Sequence, residues 1–414
     1  INQNRKAKTG KLEAKLDYFY IISLKANLNF TFGITDVKQD FNSSIFQILD
    51  NNNNRYFLED NLNNDVSFHF QDAYAALHYR FISGIFTFDP GVTLHSYKTV
   101  TEQLGNTEDN AFTFFRPDLR ILMKLKDSEN FRLLYRSTLQ FSDINQLAEG
   151  YIFRNYNSFF QGNPNLEAAL FDVVNLNYQS INIFNFTNIF ANLSYSKRDN
   201  AIQNTSSIAG INSLRSASNS NFPREIYTAS GRIDKRSKNL KGGVNINYNY
   251  SDFNNVINNT PTASSNFTQR YQLNIATNFR TKPNIEIGYS YSIRDYKTGN
   301  VESKFFTDAP YIRLDAYFLK GFVFNAKYTY NFYRNQDQTL NEYRFLEADL
   351  SYTPNGSKWE FGLSANNLLN DTQINRDSFN QFSFTTNSYI IQPRYVVFQV
   401  TYDLTAIGGK SDKK

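Results

Sequence analysis

Apolar and polar residues alternate with a period of two over most of this chain. That is the spacing at which successive side chains of a β-strand point to opposite faces. In Lys25–Phe32 the even positions hold Ala26, Leu28, Phe30 and Phe32, with Lys25, Asn27, Asn29 and Thr31 between them. Val244, Ile246, Tyr248 and Tyr250 alternate with Asn245, Asn247 and Asn249. Ile285, Ile287, Tyr289, Tyr291 and Ile293 alternate with Glu286, Gly288, Ser290 and Ser292. Phe322, Phe324, Ala326, Tyr328, Tyr330 and Phe332 alternate with Val323, Asn325, Lys327, Thr329 and Asn331. The pattern predicts strands with one apolar and one polar face from end to end. No segment has a helical period of useful length, so helical crossovers are excluded and the sheet is expected to be antiparallel and all-β.

The spacing between strands sharpens this picture. Short connections are expected near Ile21–Ser23, Phe81–Gly84, Asp127–Asn130, Ser180–Phe184, Lys235–Asn239, Thr281–Asn284, Leu319–Gly321 and Pro354–Ser357. Longer polar stretches alternate with them: Thr35–Asp65, Thr99–Asn110, Asp143–Asn165, Asp199–Asn221, Ser251–Ser265 and Asn370–Gln392. Short turns at one end and long loops at the other mark an antiparallel transmembrane β-barrel. Segments such as Tyr311–Leu319, Gly321–Tyr333 and Tyr343–Thr353 run about 9–13 residues, near the ~9–11 that a tilted strand needs to cross a bilayer. Tyr and Phe gather at strand ends, where an aromatic girdle would lie: Phe19 and Tyr20, Phe332 and Tyr333, Tyr352 and Trp359, Tyr395 and Tyr402. About seventeen strands are expected, with the last, Arg394–Leu404, ending on the short-turn side. A closed bacterial barrel with both ends on one side needs an even number. The expectation is therefore a C-terminal fragment, with Lys11–Phe19 and Arg394–Leu404 each pairing with strands upstream of Ile1.

Composition removes the competing classes. The 414 residues carry a formal net charge of +5, too small to signal a nucleic-acid partner. No apolar run approaches the ~18 residues of a membrane helix, and a hydrophobic content of 41% argues against disorder. With no cysteine there is no disulfide framework and no thiolate chemistry. The 28 Tyr and 39 Phe suit strands, and the 55 Asn, as in Asn51–Asn54, read as turn and loop formers. His69, His78 and His95 lack the spacing of a zinc site, because the first two differ in strand parity and the third lies on another strand. Gly408-Gly409-Lys410-Ser411 lacks the upstream glycine of a phosphate loop, Leu404 standing in its place. No nucleophile elbow supports a Ser-His-Asp triad. Charged residues on polar faces, such as Arg132, Arg136, Glu347 and Asp349, read as lumen lining. No enzymatic activity and no cofactor are expected.

Four stretches carry a family resemblance. They are Asp72–Ala76 (DAYAA) with Arg80–Gly84 (RFISG), Phe115–Leu119 (FRPDL), Gln161–Leu166 (QGNPNL), and the close Trp359–Asp371 (WEFGLSANNLLND) with Pro393–Tyr402 (PRYVVFQVTY). Together they resemble the C-terminal barrel portion of TonB-dependent receptors, in particular the receptor-like outer-membrane β-barrel family of Bacteroidetes. The chain departs from that pattern after Leu404, where a basic tail, residues 405–414, replaces a terminal aromatic. The resemblance implies a barrel of roughly 22 strands, with a plug domain and further strands upstream. It also implies a periplasmic C-terminus and a TonB-type energy coupler as partner.

Function follows as an expectation: an outer-membrane barrel, residues 1–404, that imports a ligand through a plugged lumen. The alternative is a non-transporting barrel that acts as scaffold in a larger secretion or assembly complex. A soluble carbohydrate-binding β protein is a third reading. Partners would be outer-membrane lipid and a surface lipoprotein or other complex subunits, met by the long loops Thr35–Asp65, Asp143–Asn165 and Asp199–Asn221. The first carries Phe46, Ile48, Leu49, Tyr56, Phe57 and Leu58; the second carries Tyr151, Ile152, Phe153, Tyr156, Phe159 and Phe160. Tyr151, Phe153, Tyr156, Phe159 and Phe160 are the candidate contact residues, because aromatic loops with few charges suit burial against a partner; the alternative is that these loops fold over the barrel mouth as a self-packed lid.

Overall fold

The structure, a computed structural model, describes residues 2–48, 55–57, 62–371, 373–379 and 384–404. The chain begins with β1 (Asn2–Ser23), β2 (Ala26–Ile48), β3 (Arg55–Phe57), β4 (Asn64–Ser83), β5 (Phe86–Gln103), β6 (Asn106–Lys126) and β7 (Glu129–Gln140). A single turn of helix, α1 (Ile144–Leu147), and the strands β8 (Tyr151–Asn155) and β9 (Ser158–Gln161) follow. Next come β10 (Ala169–Asn182), β11 (Thr187–Asp199), β12 (Ile202–Ala209), β13 (Asn212–Asn219), β14 (Arg224–Arg236), β15 (Leu240–Ile257), β16 (Thr260–Thr277) and β17 (Asn284–Thr298). The last are β18 (Val301–Phe318), β19 (Phe322–Asn335), β20 (Thr339–Tyr352), β21 (Trp359–Asn366), β22 (Gln373–Phe379), β23 (Phe384–Ile390) and β24 (Tyr395–Tyr402). Among the described residues, β22 and β23 pair on their own, and the other 22 strands belong to one sheet. Setting aside β3 and the inserted hairpins β8–β9, β12–β13 and β22–β23 leaves seventeen principal strands, the number that the alternation predicts.

The chain divides into two interleaved compact units. The first comprises residues 1–178, 192–228 and 251–265, and the second residues 179–191, 229–250 and 266–414. In the first unit β1 pairs with β2, β2 with β4, β4 with β5, β5 with β6 and β6 with β7, all antiparallel. The register preserves the alternation across strands. Ile34 opposes Ala73, Leu77 opposes Val92, Leu94 opposes Phe115 and Ile121 opposes Leu133, so one face is apolar from the short turns as far as these rows. Gly91 opposes Asp118, and Asp118 opposes Arg136, on the other face.

The second unit repeats the arrangement in a meander from β17 through β21 to β24. Ile287 faces Ile312, Ile312 faces Tyr328, Tyr328 faces Leu346 and Leu363 faces Phe398. Between these rows Glu286 opposes Arg313 and Lys327 opposes Glu347. A one-residue slip anywhere would move apolar side chains into the polar row, so the two-sided pattern fixes the register. Beside the short turns the apolar face carries ring contacts: Phe318 with Phe322 at 5.6 Å, Phe322 with Tyr352 at 4.3 Å and Trp359 with Tyr402 at 4.7 Å. On the polar face of β15 and β16, Asn247 donates to Asn245 (3.1 Å) and Asn245 to Gln272 (2.9 Å).

Strand length departs from expectation. β1 runs 22 residues, β2 23, β4 20 and β6 21, well past the 9–13 read from the sequence. The stretches expected as loops are largely paired strand. Thr35–Ser43 lies within β2 and pairs with Asn64–Asp72 of β4. Thr99–Asn110 is a hairpin closed by Leu104 and Gly105, at φ +49° and +82°. Ser251–Ser265 turns at Asn258 and Asn259, at φ +47° and +63°. Asp199–Asn221 forms the hairpin β12–β13, and Asn370–Gln392 contains the hairpin β22–β23. Polar residues supply the same backbone groups to a ladder as apolar ones. The hairpins at Leu104–Gly105 and Asn258–Asn259 each end in a pair of left-handed residues, the condition for a two-residue turn. Asn51–Asn54, Leu49, Leu58 and the tail 405–414 lie outside the described residues.

Candidate functional site

The segment expected as the partner loop, Asp143–Asn165, is folded. α1 begins at a capping box in which the Asp143 carboxylate accepts from Asn145 N (2.9 Å) and the Gln146 side chain accepts from Asp143 N (2.9 Å). β8 and β9 pair as a hairpin, and β9 lies parallel to β13 from Ser158–Ser213 to Gln161–Ser216. Ile144, Leu147 and Ala148 of the helical turn join Ile152 and Phe160 of the hairpin in a buried cluster. Phe41, Val66 and Phe68 complete it from the polar-face rows of β2 and β4, with Ala217 from β13. Where the insert covers the outer ends of the strands, the otherwise polar face turns apolar.

Carboxamides tie this insert to the sheet. The Gln3 side chain donates to Tyr151 O (2.7 Å) and accepts from Phe153 N (2.9 Å). Gln103 donates to Leu147 O and accepts from Glu149 N, both at 3.1 Å. Asn64 accepts from Gly150 N (2.8 Å) and donates to Ser43 Oγ (2.8 Å). Asn219 brackets Glu167, accepting from its N and donating to its O, both at 2.9 Å. A primary amide offers a donor and an acceptor as a peptide unit does. Each side chain thus satisfies backbone groups that the irregular insert leaves unpaired. The GNPNL stretch closes the insert, with Gly162 N donating to Ala148 O (2.7 Å) and Asn163 N to Gln146 O (2.6 Å). A Cβ on Gly162 would lie 2.5 Å from Gln146 O, so only glycine fits this approach.

The candidate contact residues divide. Phe159 meets Tyr151 at 6.2 Å and Phe153 at 5.2 Å, and these three share one face of the hairpin. Tyr156 stands at the hairpin turn and is 82% exposed. Phe160 is 3% exposed and belongs to the core beneath, so it is no contact residue. The strand alternation that places Tyr151, Phe153 and Phe159 on one side puts Ile152 and Phe160 on the other.

A cavity of about 740 Å³ lies beside the insert, lined by Phe68, Phe112, Phe114, Phe141, Glu108 and Glu167 among others. Sequence reading missed it because Glu108 and Asn110 belong to a stretch expected as loop and Phe112 and Phe114 lie just past it. Their period-two spacing was the available signal. Below the cavity the motif residues form a polar ladder across four strands. Asp72 holds His95 Nδ1 (2.9 and 3.0 Å), Arg116 Nη1 lies 3.0 Å from His95 Nε2, and Arg116 Nε donates to Ser137 O (2.8 Å). His78 reaches from β4 past β5 to Asp118 of β6, at 3.0 and 3.2 Å, because Gly91 between them has no side chain. His69 pairs with Asp36 at 2.7 Å, so each histidine faces its own carboxylate. Tyr97 stacks on His95 with ring centroids 5.0 Å apart, beyond Leu94, where the apolar row of β5 gives way to Ser96 and Lys98.

Residues 1–402 match the family described as outer membrane protein beta-barrel family. No curated protein matches the chain. Among solved structures, the copper transporter OprC aligns at 9% identity and TM-score 0.47, over 95% of this chain and 72% of that one. The ferric-catecholate import receptor Fiu from K12 E. coli, in its closed form, aligns at 13% identity and TM-score 0.45, over 96% of this chain and 64% of that one. The FpvAI–pyocin S2 complex aligns at 9% identity and TM-score 0.33, also over 96% and 64%. The chain thus spans less than two thirds of the Fiu and FpvAI chains.

Proposed function

Since the chain belongs to the outer membrane protein β-barrel family, we propose that it is the barrel portion of a receptor that imports a ligand through a plugged lumen. The observation that carries this reading is the insert 143–168. It is folded onto the polar face, the lumen side of an outer-membrane barrel, and anchored by side-chain amides rather than left as a solvent loop. Such an anchored element can hold a ligand over the passage and present Tyr151, Phe153, Phe159 and Tyr156 to it or to a surface lipoprotein. A barrel of roughly 22 strands is too wide for its own side chains to fill and needs a plug. The plug would sit against the polar ladder from Asp72 to Arg116. In this reading β1 pairs, on the side away from β2, with a strand outside this sequence, and the tail 405–414 lies in the periplasm, where a TonB-type coupler acts.

The test uses the full gene product extracted from outer membranes in detergent. It is titrated with the periplasmic domain of the energy coupler. Saturable one-to-one binding is expected. Absence of binding, together with recovery of the protein in a stable assembly of other outer-membrane subunits, would favour the scaffold alternative.

A further inference from the structure

The apolar face of the second unit holds a recess whose walls come from five strands. Ile233 and Lys235 of β14, Leu240 and Val244 of β15, Leu273 and Ile275 of β16, Ile287 and Tyr289 of β17, and Pro310 of β18 surround a volume of about 610 Å³. That lies within the ~300–1,000 Å³ typical of small-ligand sites. Its cause is local. Gly242 stands in the apolar row between Leu240 and Val244 and contributes no side chain. A Cβ there would lie 3.1 Å from Asn274 O and 3.9 Å from Ile275 Cα, so the row dips where β15 packs closely against β16. Leu273, Ile275 and Ile287, 55–57% exposed, rise around the dip.

Lys235 lies at one end of the recess, beside the short turn that joins β14 to β15, and Lys241 also lines it. Among the described residues Lys235 Nζ donates to Thr187 Oγ1 (2.9 Å) and meets no carboxylate. The acid beside it in sequence, Asp234, is held by Arg232 at 2.6 and 3.1 Å. An apolar trough with an uncompensated ammonium at its short-turn end has the layout of a phospholipid: acyl chain along the sheet, phosphate at the interface. In an outer-membrane barrel the short turns face the periplasm, so the leaflet they meet is the inner one.

We propose that this recess is a binding site for one anionic phospholipid of the inner leaflet, its acyl chain lying over Gly242 and its phosphate paired with Lys235. The assignment rests on membership of the outer-membrane barrel family and is independent of what the barrel transports.

The full-length protein is placed in nanodiscs of phosphatidylcholine containing a small fraction of phosphatidylglycerol with a photoactivatable group on the acyl chain. Cross-linked peptides are then identified by mass spectrometry. Labelling of residues 233–244 and 273–289 is expected to exceed that of the equivalent apolar rows of β19 and β20 by at least severalfold. Ile275→Trp, which fills the recess from its rim, should bring it down to their level. Lys235→Gln should remove the preference for phosphatidylglycerol over a phosphatidylcholine probe while leaving acyl labelling in place. Even labelling along all apolar rows, or labelling unaffected by Ile275→Trp, would overturn the proposal. So would an unchanged headgroup preference in Lys235→Gln.

Discussion

Asparagine and glycine do more in this protein than their usual association with turns suggests. Asn64 and Asn219, like Gln103, act as side-chain substitutes for peptide groups, and a loop-forming reading of the Asn content has no place for the two asparagines. Gly91 lets His78 and Asp118 meet across an intervening strand, since a Cβ there would lie 2.1 Å from the His78 ring. Gly91→Ala should therefore cost about 1–3 kcal/mol through overpacking, read by denaturant unfolding in detergent. Adding His78→Ala should recover part of that loss, since the two residues share one contact. Faces can be tested as simply. Ile246 and Asn247 are neighbours on β15, and arginine on the lipid face at mid-bilayer costs ~2–4 kcal/mol, against little in a wet lumen. Ile246→Arg should impair outer-membrane assembly, measured as heat-modifiable migration, and Asn247→Arg should not.

At the level of elements, alternation located nearly every principal strand and each short turn to within a few residues. It failed where polarity was taken to mean loop. Thr99, Thr101, Glu108 and Asn110 alternate with residues on the other face as regularly as any apolar run, but the alternation is polar with polar and so carries no hydropathy signal. The insert was legible as aromatic and unusual. Its inward half, Ile152 and Phe160, could be told from its outward half only once β8 and β9 were known to be strands. The amide clamps join residues as far apart as Gln3 and Phe153, and nothing local announces them. Gln103→Leu strips the partners from Leu147 O and Glu149 N in a buried setting, at a cost of about 1–3 kcal/mol. Limited proteolysis should then cut within 143–168 well before the strands. Tyr156→Ser, at an exposed turn, should leave the cleavage rate unchanged.

For the molecule as a whole, everything rests on a single antiparallel sheet whose apolar face meets lipid and whose polar face meets water. The two-sided register from β17 to β24 makes this arrangement specific along most of each strand, on β19 from Phe322 opposite Tyr352 to Tyr328 opposite Leu346. The absence of cysteine makes it directly measurable, because any introduced thiol is unique. Single cysteines are placed at successive positions from Phe324 to Asn331 of β19, spin-labelled, and reconstituted in bilayers. Collision with oxygen, which concentrates in lipid, is compared with collision with a water-soluble nickel chelate. Positions 324, 326, 328 and 330 should favour oxygen and positions 325, 327, 329 and 331 the chelate, in strict alternation. Equal accessibility along the strand, or oxygen preference at Lys327 and Asn331, would contradict this arrangement.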